Sequence, residues 1–199
     1  MEHHFFAYVS RMRYIQRWGL MKNTSAENDM EHSFQTAMTA HAIALIGNSR
    51  YGRSYDAEHV MAMALYHDAC EVLTGDMPTP VKHNNPALRA EYGRLEDEAA
   101  ERLLSMLPPD VKEDYRPLIR QDEASAEWAV VKAADRIAAW IKCTEEKRAG
   151  NHEFDYAAEN VRNSLKAEEL PEVQDFIREY LPAYELTLDE LNHPAGEQK

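Results

Sequence analysis

Cysteine is almost missing from this chain of 199 residues, which has only Cys70 and Cys143. Two thiols cannot build a disulfide framework, so the expected setting is a reducing cytoplasm. Positive charge is also scarce. There are 22 Lys and Arg against 35 Asp and Glu, a formal net charge of -13. Contact along a nucleic acid polymer relies on clustered Lys and Arg, and that partner is excluded. A small nucleotide is not, because a metal ion and one or two arginines can meet its phosphate. Long apolar runs are lacking as well. The longest, AMTAHAIALI over 37–46, is about half the length a membrane span needs. The opening MEHHFFAYVSRMRYIQRW has neither an uninterrupted apolar core nor a small-residue cleavage site, so no signal peptide is expected. No repeat, linker or shift in composition divides the chain, and the expectation for 1–199 is one domain.

What is present reads as helix after helix, with no convincing strand. Hydrophobic residues make up 44% and charged residues 29%, the balance of a globular protein. Asn28 with Glu31 resembles a capping pair, and the helix it opens is expected to stop at Gly47-Asn48. Asp56 caps a second helix that carries Val60, Ala64, His67, Asp68 and Glu71 on one face and ends at Gly75. Asn85-Pro86 opens a third, with the stripe Leu88, Tyr92, Leu95, Ala99, Leu103 and Met106, closed by Pro108-Pro109. A fourth runs from about Ser125 to Gly150, with Trp128, Val131, Asp135 and Ala138 on one face. Two amphipathic segments follow, one with Phe154, Val161 and Leu165, the other after Pro171 with Val173, Phe176, Ile177 and Tyr180. The final HPAGEQK is expected to be a loose tail. The fold class is all-α, a helical bundle.

The inward faces carry residues that do not belong in an apolar core. His67, Asp68 and Glu71 share the stripe of the second helix. His32 lies near the start of an otherwise apolar helix, and Asp135 is bracketed by Val131, Ala134 and Ala138. A carboxylate buried without a partner is costly, so such groups are exposed, paired or bound to a metal. Two imidazoles and two carboxylates suit a divalent ion with nitrogen and oxygen preferences, and leave room for water or substrate. Plainer readings exist for each residue alone. Asp135 has Lys132 and Arg136 within reach on its own helix, and Glu71 becomes a surface acid if the helix is turned. His3, His4, His41, His59, His83, His152 and His193 are given no role.

The order decides between these readings. A His on one helix, His-Asp on the next and an Asp far downstream resembles the HD superfamily of metal-dependent phosphohydrolases. The segments RWGLM, NDMEHSFQTAMTAHAIA, YHDACEVLTGDMPTPVK and VKAADRIAAWIKCTEE look like the bacterial 5'-deoxynucleotidases of that superfamily, over most of the chain. Cys70 stands where that pattern leads one to expect serine, a departure from which little effect is expected.

The resemblance implies a bundle of the HD-domain type and a reaction, hydrolysis of deoxyribonucleoside 5'-monophosphates to deoxyribonucleosides and phosphate. It implies His32, His67, Asp68 and Asp135 as ligands of a divalent cation such as cobalt, manganese or zinc. Glu71 is then a general acid or base, with Asp76 assisting it. Arg17 suits a phosphate through its planar fork, and Trp18 offers a flat wall to the deoxyribose. Asp76, Met77, Pro78 and Thr79 form a substrate-contacting segment that the prolines restrict. A homodimer is the assembly the family suggests, and no segment offers a reader of base edges. Three other readings compete. One is an HD phosphohydrolase of nucleoside triphosphates, cyclic nucleotides or alarmones; the second is a metal-stabilised helical module that binds a partner without catalysis; the third is an acidic helical interaction protein with no metal, in which the set is accidental.

Overall fold

Asn28 starts one of the two longest helices as its sequence requires. Its side chain accepts from the backbone N–H of Met30 and Glu31, both at 3.1 Å, while Glu31 reaches back to the Asn28 N–H at 3.3 Å. This reciprocal cap satisfies donors that the first helical turn otherwise leaves open. In this computed structural model, which describes residues 3–82 and 85–192, the helices are α1 (Phe5–Val9), α2 (Asp29–Tyr51), α3 (Ala57–Tyr66), α4 (Glu71–Thr74), α5 (Thr79–Lys82) and α6 (Pro86–Ser105). Then come α7 (Pro109–Ile119), α8 (Ala126–Arg148), α9 (Asp155–Lys166), α10 (Pro171–Tyr180) and α11 (Leu188–Asn192). Among the described residues no strand forms, and an isolated bridge pairs Gln16 with Asn28. The all-α expectation holds. HPAGEQK lies outside the described residues, as do the side chains of Thr79 and Pro80.

Several boundaries differ from the sequence expectation, each for a physical reason. α2 does not stop at Gly47-Asn48 but continues to Tyr51, where Gly52 turns left-handed at φ 63°. Gly47 serves a close approach instead: a Cβ there would stand 2.8 Å from the Tyr55 ring. Asn48 exchanges two hydrogen bonds with the Tyr55 backbone, at 2.8 and 2.9 Å, and so fastens the following loop to the helix.

The helix expected to run unbroken to Gly75 breaks after Tyr66. His67 Nδ1 donates to the Ala64 carbonyl at 2.7 Å, the acceptor that a regular helix would offer to Asp68 N–H. The chain then tightens into three-residue turns, with Ala69 N–H to Tyr66 O at 3.0 Å and Glu71 N–H to Asp68 O at 2.9 Å. Glu71 therefore lines up with Asp68 rather than with His67.

In α6 the buried line is Tyr92, Ala99, Ala100, Leu103 and Leu104, while Leu95, expected inside, is exposed. Pro108-Pro109 ends one helix and starts another, because Pro109 occupies the first turn of α7. That helix escaped the sequence reading because it is short and prolines stand at its start and inside it. Ile119 is its one buried residue, and Pro117 sits inside it. The expected cap Asp56 holds, accepting from His59 N–H at 3.0 Å, and Asn85 and Ser125 cap the helices they open, accepting from Leu88 and Trp128 N–H at 2.7 and 3.0 Å.

The main core joins α2, α3, α8 and α10 through residues such as Ile43, Val60, Val131, Ile137 and Phe176. A fully buried aliphatic such as Ile43 or Ile137 contributes about 1.5–3 kcal/mol. A second cluster packs Phe5, Met12 and Ala69 against Leu103, Leu104 and Ile119. α2, α3 and α8 touch one another pairwise. The start of α2, the end of α3 and the middle of α8 thus converge on one place. Among the described residues no helix is long and apolar enough to cross a membrane.

Candidate active site

Each of those three helices delivers a ligand-type side chain to that place. His32, on the first turn of α2, is fully buried. His67 follows the last turn of α3, and Asp135 lies midway along α8. One atom from each of His32, His67 and Asp135 falls within 4.8 Å of the other two. His32 Nε2 is 3.0 Å from Asp135 Oδ1, and His67 Nε2 is 3.9 Å from the same oxygen. Asp68 Oδ2 stands 3.1 Å from His67 Nε2 and 3.8 Å from His32 Nε2. It also receives the Arg17 guanidinium, with Nη1 at 2.9 Å. The structure brings together the four residues that the sequence pattern singled out, and adds Arg17 to them.

The group fits a divalent cation. The Ala64 carbonyl has no proton to give, so His67 donates through Nδ1 and turns Nε2 inward, where it can take up a proton or, once that is displaced, ligate a cation. That Nε2 is buried and has no hydrogen-bond partner of its own. Burial opposes a charge on His67, yet the Asp68 and Asp135 carboxylates outweigh it and push its pKa up to about 10. A pocket that draws a proton onto a buried imidazole has the negative potential that attracts a cation. Burial likewise opposes ionisation of Asp68 and Asp135. Their cationic partners win, His67 foremost for Asp68 and Lys132 for Asp135, and hold both well below the carboxylate range.

Asp135 has its other oxygen occupied. Lys132, one turn earlier on α8, donates to Oδ2, while Arg136 pairs with Glu168 on the far side. The pairing with Lys132 and the approach to the imidazoles therefore coexist, one oxygen each.

Arg17 opens a turn just after the Gln16 bridge, where its N–H donates to the Glu27 carbonyl at 3.0 Å. Its guanidinium has Glu27 at 3.6 Å and Asp29 at 3.7 Å besides Asp68. Burial disfavours its charge, but Asp68 foremost, with Asp135, Glu27 and Glu71, raises its pKa and keeps it cationic. Trp18 is held from two sides. Its Nε1 donates to Glu27 at 3.0 Å and its ring lies 5.3 Å from that of Phe154. It adopts φ 58°, a left-handed conformation that a non-glycine residue keeps only when its surroundings dictate it.

Glu71 is the most strongly perturbed acid. Burial, with Asp68, Asp29 and Asp76 nearby, pushes its carboxyl up to about 11. Asp76 is raised too, first by burial. Asp76, Met77 and Pro78 are half-buried between Gly75 and α5, where the Pro78 carbonyl caps the helix by accepting from Val81 N–H at 2.8 Å.

Sequence reasoning missed Asp29. It is fully buried, with neither carboxylate oxygen hydrogen-bonded to a donor. Burial raises its pKa to about 7, against partial relief from the Glu71 carboxyl beside it and from Arg17. The signal was available: 29, 32, 33 and 36 share one helical face. A carboxyl whose folded pKa lies above its unfolded value helps the fold while protonated and loses that help as pH rises toward about 7. Asp29→Asn is therefore expected to stabilise the metal-free protein by up to a few kcal/mol above neutrality, and little at acid pH. Urea unfolding on both sides of neutrality checks this, and an equal effect at the two pH values would refute it.

Comparisons with known proteins identify the family and the fold. The family profile described as "5'-deoxynucleotidase YfbR-like" matches residues 4–184. A 5'-deoxynucleotidase of Vibrio vulnificus is 48% identical over 192 residues, covering 96% of this chain and 99% of that one. Among solved structures, an HD-domain phosphohydrolase of Listeria innocua superposes with TM-score 0.79 at 22% identity, over 91% of this chain and 88% of that one. The HD phosphohydrolase of cyanophage S-2L, bound to dA and one catalytic Zn2+ ion, superposes with TM-score 0.57 at 22% identity, over 86% and 91%. These structures carry the same all-helical fold.

Proposed function

The chain belongs to the 5'-deoxynucleotidase YfbR-like family, and from that premise we propose how its site hydrolyses deoxyribonucleoside 5'-monophosphates to deoxyribonucleosides and phosphate. The observation that carries the reading is the meeting of His32, His67 and Asp135 within 4.8 Å, with Asp68 and Arg17 alongside. Charge favours a metal here. Six carboxyl groups (Glu27, Asp29, Asp68, Glu71, Asp76 and Asp135) crowd a place whose cationic side chains are Arg17, Lys132, Lys82 and, without metal, His67. A phosphate dianion would be repelled from such a place unless a cation entered first.

His32, His67, Asp68 and Asp135 would hold a divalent ion of the cobalt, manganese or zinc kind, whose tastes match mixed nitrogen and oxygen donors. When bound, the ion supplies Lewis-acid charge to the phosphoryl group and acidifies water. The chain supplies the rest. Arg17, pinned by three carboxylates, presents its fork to the phosphate and orients it. Glu71 keeps its proton at neutral pH and donates it to the departing 5'-oxygen. Asp76 and Pro78 line the entrance beside it, with Met77 and Thr79 completing the substrate segment. Trp18 walls off the 2' position of the sugar. No base-edge reader accompanies these groups, and broad base acceptance follows.

One domain accounts for the chain in this reading, and its two unpaired cysteines suit a cytoplasmic protein. A homodimer has support from the exposed Phe34, Met38 and Leu45 on α2 and Met61 and Leu65 on α3. Light scattering on the purified protein reads that assembly.

The test is a phosphate-release screen of deoxy- and ribonucleoside monophosphates against several divalent ions. The expected result is metal-dependent release from all deoxy substrates, well above their ribo counterparts. Trp18→Ala should narrow the gap between dAMP and AMP, and an unchanged ratio would discard the sugar wall. Hydrolysis confined to triphosphates, cyclic nucleotides or alarmones would place the chain elsewhere in the superfamily. Metal binding without hydrolysis of any of these would mark a binding module.

A further inference from the structure

The segment 18–28, which presents Trp18 and follows Arg17, is not held in place by apolar packing at its far end. It is clasped by the C-terminal part of α8. Glu146 is buried to 1% exposure. Its carboxylate accepts from Thr24 N–H at 2.9 Å, Thr24 Oγ1 at 2.5 Å, Ser25 N–H at 3.2 Å and Asn151 Nδ2 at 2.8 Å. Lys142, itself buried, donates to both Glu146 and the Ser25 carbonyl. Asn151 also donates to the Lys22 carbonyl at 2.7 Å. A buried ion pair is weak evidence for stability, but one whose carboxylate is saturated by directed donors specifies a conformation.

The clasp reaches the substrate-facing residues by contact. Phe154, three positions after Asn151, backs the Trp18 ring at 5.3 Å, and the Lys142 ammonium lies 5.4 Å from the Phe154 ring. The Trp18 carbonyl accepts from Asn23 Nδ2 at 3.3 Å, next to the clasped Thr24. Glu27 joins the two ends, bonding Trp18 Nε1 and standing 3.6 Å from Arg17. Trp18 holds its left-handed backbone inside this frame.

We propose that Lys142, Glu146 and Asn151 are positioning residues for the substrate pocket, fixing segment 18–28 so that Trp18 and Arg17 meet the sugar and the phosphate in one arrangement and thereby set the preference for deoxyribose. The inference rests on the functional reading above. None of the three touches substrate; each acts through the segment. An ordered wall discriminates a hydroxyl that a mobile one would accommodate.

Glu146→Gln keeps the shape but turns one acceptor into a donor facing Thr24 N–H, and Asn151→Ala removes three bonds, those with the Lys22 carbonyl, Glu146 and the Glu153 N–H, with a smaller risk to folding. In each, the KM for dAMP is expected to rise and the dAMP-to-AMP ratio of kcat/KM to fall, on the order of tenfold. Bound metal per chain and kcat should stay close to those of the unaltered protein. Hydrogen exchange should show faster exchange of the Thr24 and Ser25 amides, a readout independent of activity. A folded, active Asn151→Ala protein with a lower melting temperature but an unchanged ratio would reduce the clasp to scaffolding and overturn the proposal. So would loss of metal from that variant, which would tie the clasp to the ligands instead. Failure of the unaltered protein to release phosphate from dAMP would instead remove the functional reading beneath it.

Discussion

Asp68→Ala is expected to yield a folded protein that holds no metal and releases no phosphate. Asp68 Oδ2 is within 3.1 and 3.8 Å of the two imidazole nitrogens, and it anchors Arg17 at 2.9 Å. Its removal takes a negative charge from the ligand group and frees the guanidinium meant for phosphate. Disturbing groups that only support a metal ligand already costs about 10–100-fold in affinity, so loss of a ligand that also holds Arg17 should cost more. The fold should persist, because Asp68 lies in the turn between α3 and α4 rather than in the apolar core. Elemental analysis and phosphate release give the two readings, with circular dichroism as the control for helix. A metal-replete, active variant would sink the ligand role of Asp68.

Glu71→Ala should separate binding from chemistry. Metal content and the KM for dAMP are expected to change little, while kcat falls by about a hundredfold or more, the usual size of a lost proton donor. The pH profile sharpens the test. A general acid works while protonated, so turnover of the unaltered enzyme should fall as pH rises through the Glu71 ionisation. Burial and the neighbouring carboxylates place that ionisation at about 11 without metal, and a cation beside Asp68 would lower it. In the variant that alkaline limb should vanish. If turnover were unchanged, the proton would have to come from Asp76, leaving Glu71 as scaffold.

Local signals in the sequence were legible where their physics is local. Asn28, Asp56, Asn85 and Ser125 cap helices because a short polar side chain needs only its own next turn to bond. The faces of α2 and α8 followed from period, so His32 and Asp135 were read as inward before any contact was known. The break after Tyr66 was not legible, because the periodic pattern continues through it. A single side-chain bond from His67 to Ala64 O diverts the backbone and places Glu71 over Asp68. α7 was missed because it is short and its prolines, Pro109 at the start and Pro117 inside, read as helix breaks.

By itself the sequence determined an all-helical chain, several of its caps, and a His, His-Asp, Asp order that resembles the HD superfamily. Those are properties of short windows and of spacing along single helices. The tertiary structure alone decided who meets whom: Arg17 with Asp68 across 51 residues, His32 with Asp135 across 103, Thr24 with Glu146 across 122. It also made Asp29 a buried acid beside Glu71. Periodicity tells which side of a helix faces inward but not what waits there. The partner is chosen only when three helices pack and their buried charges must find one another.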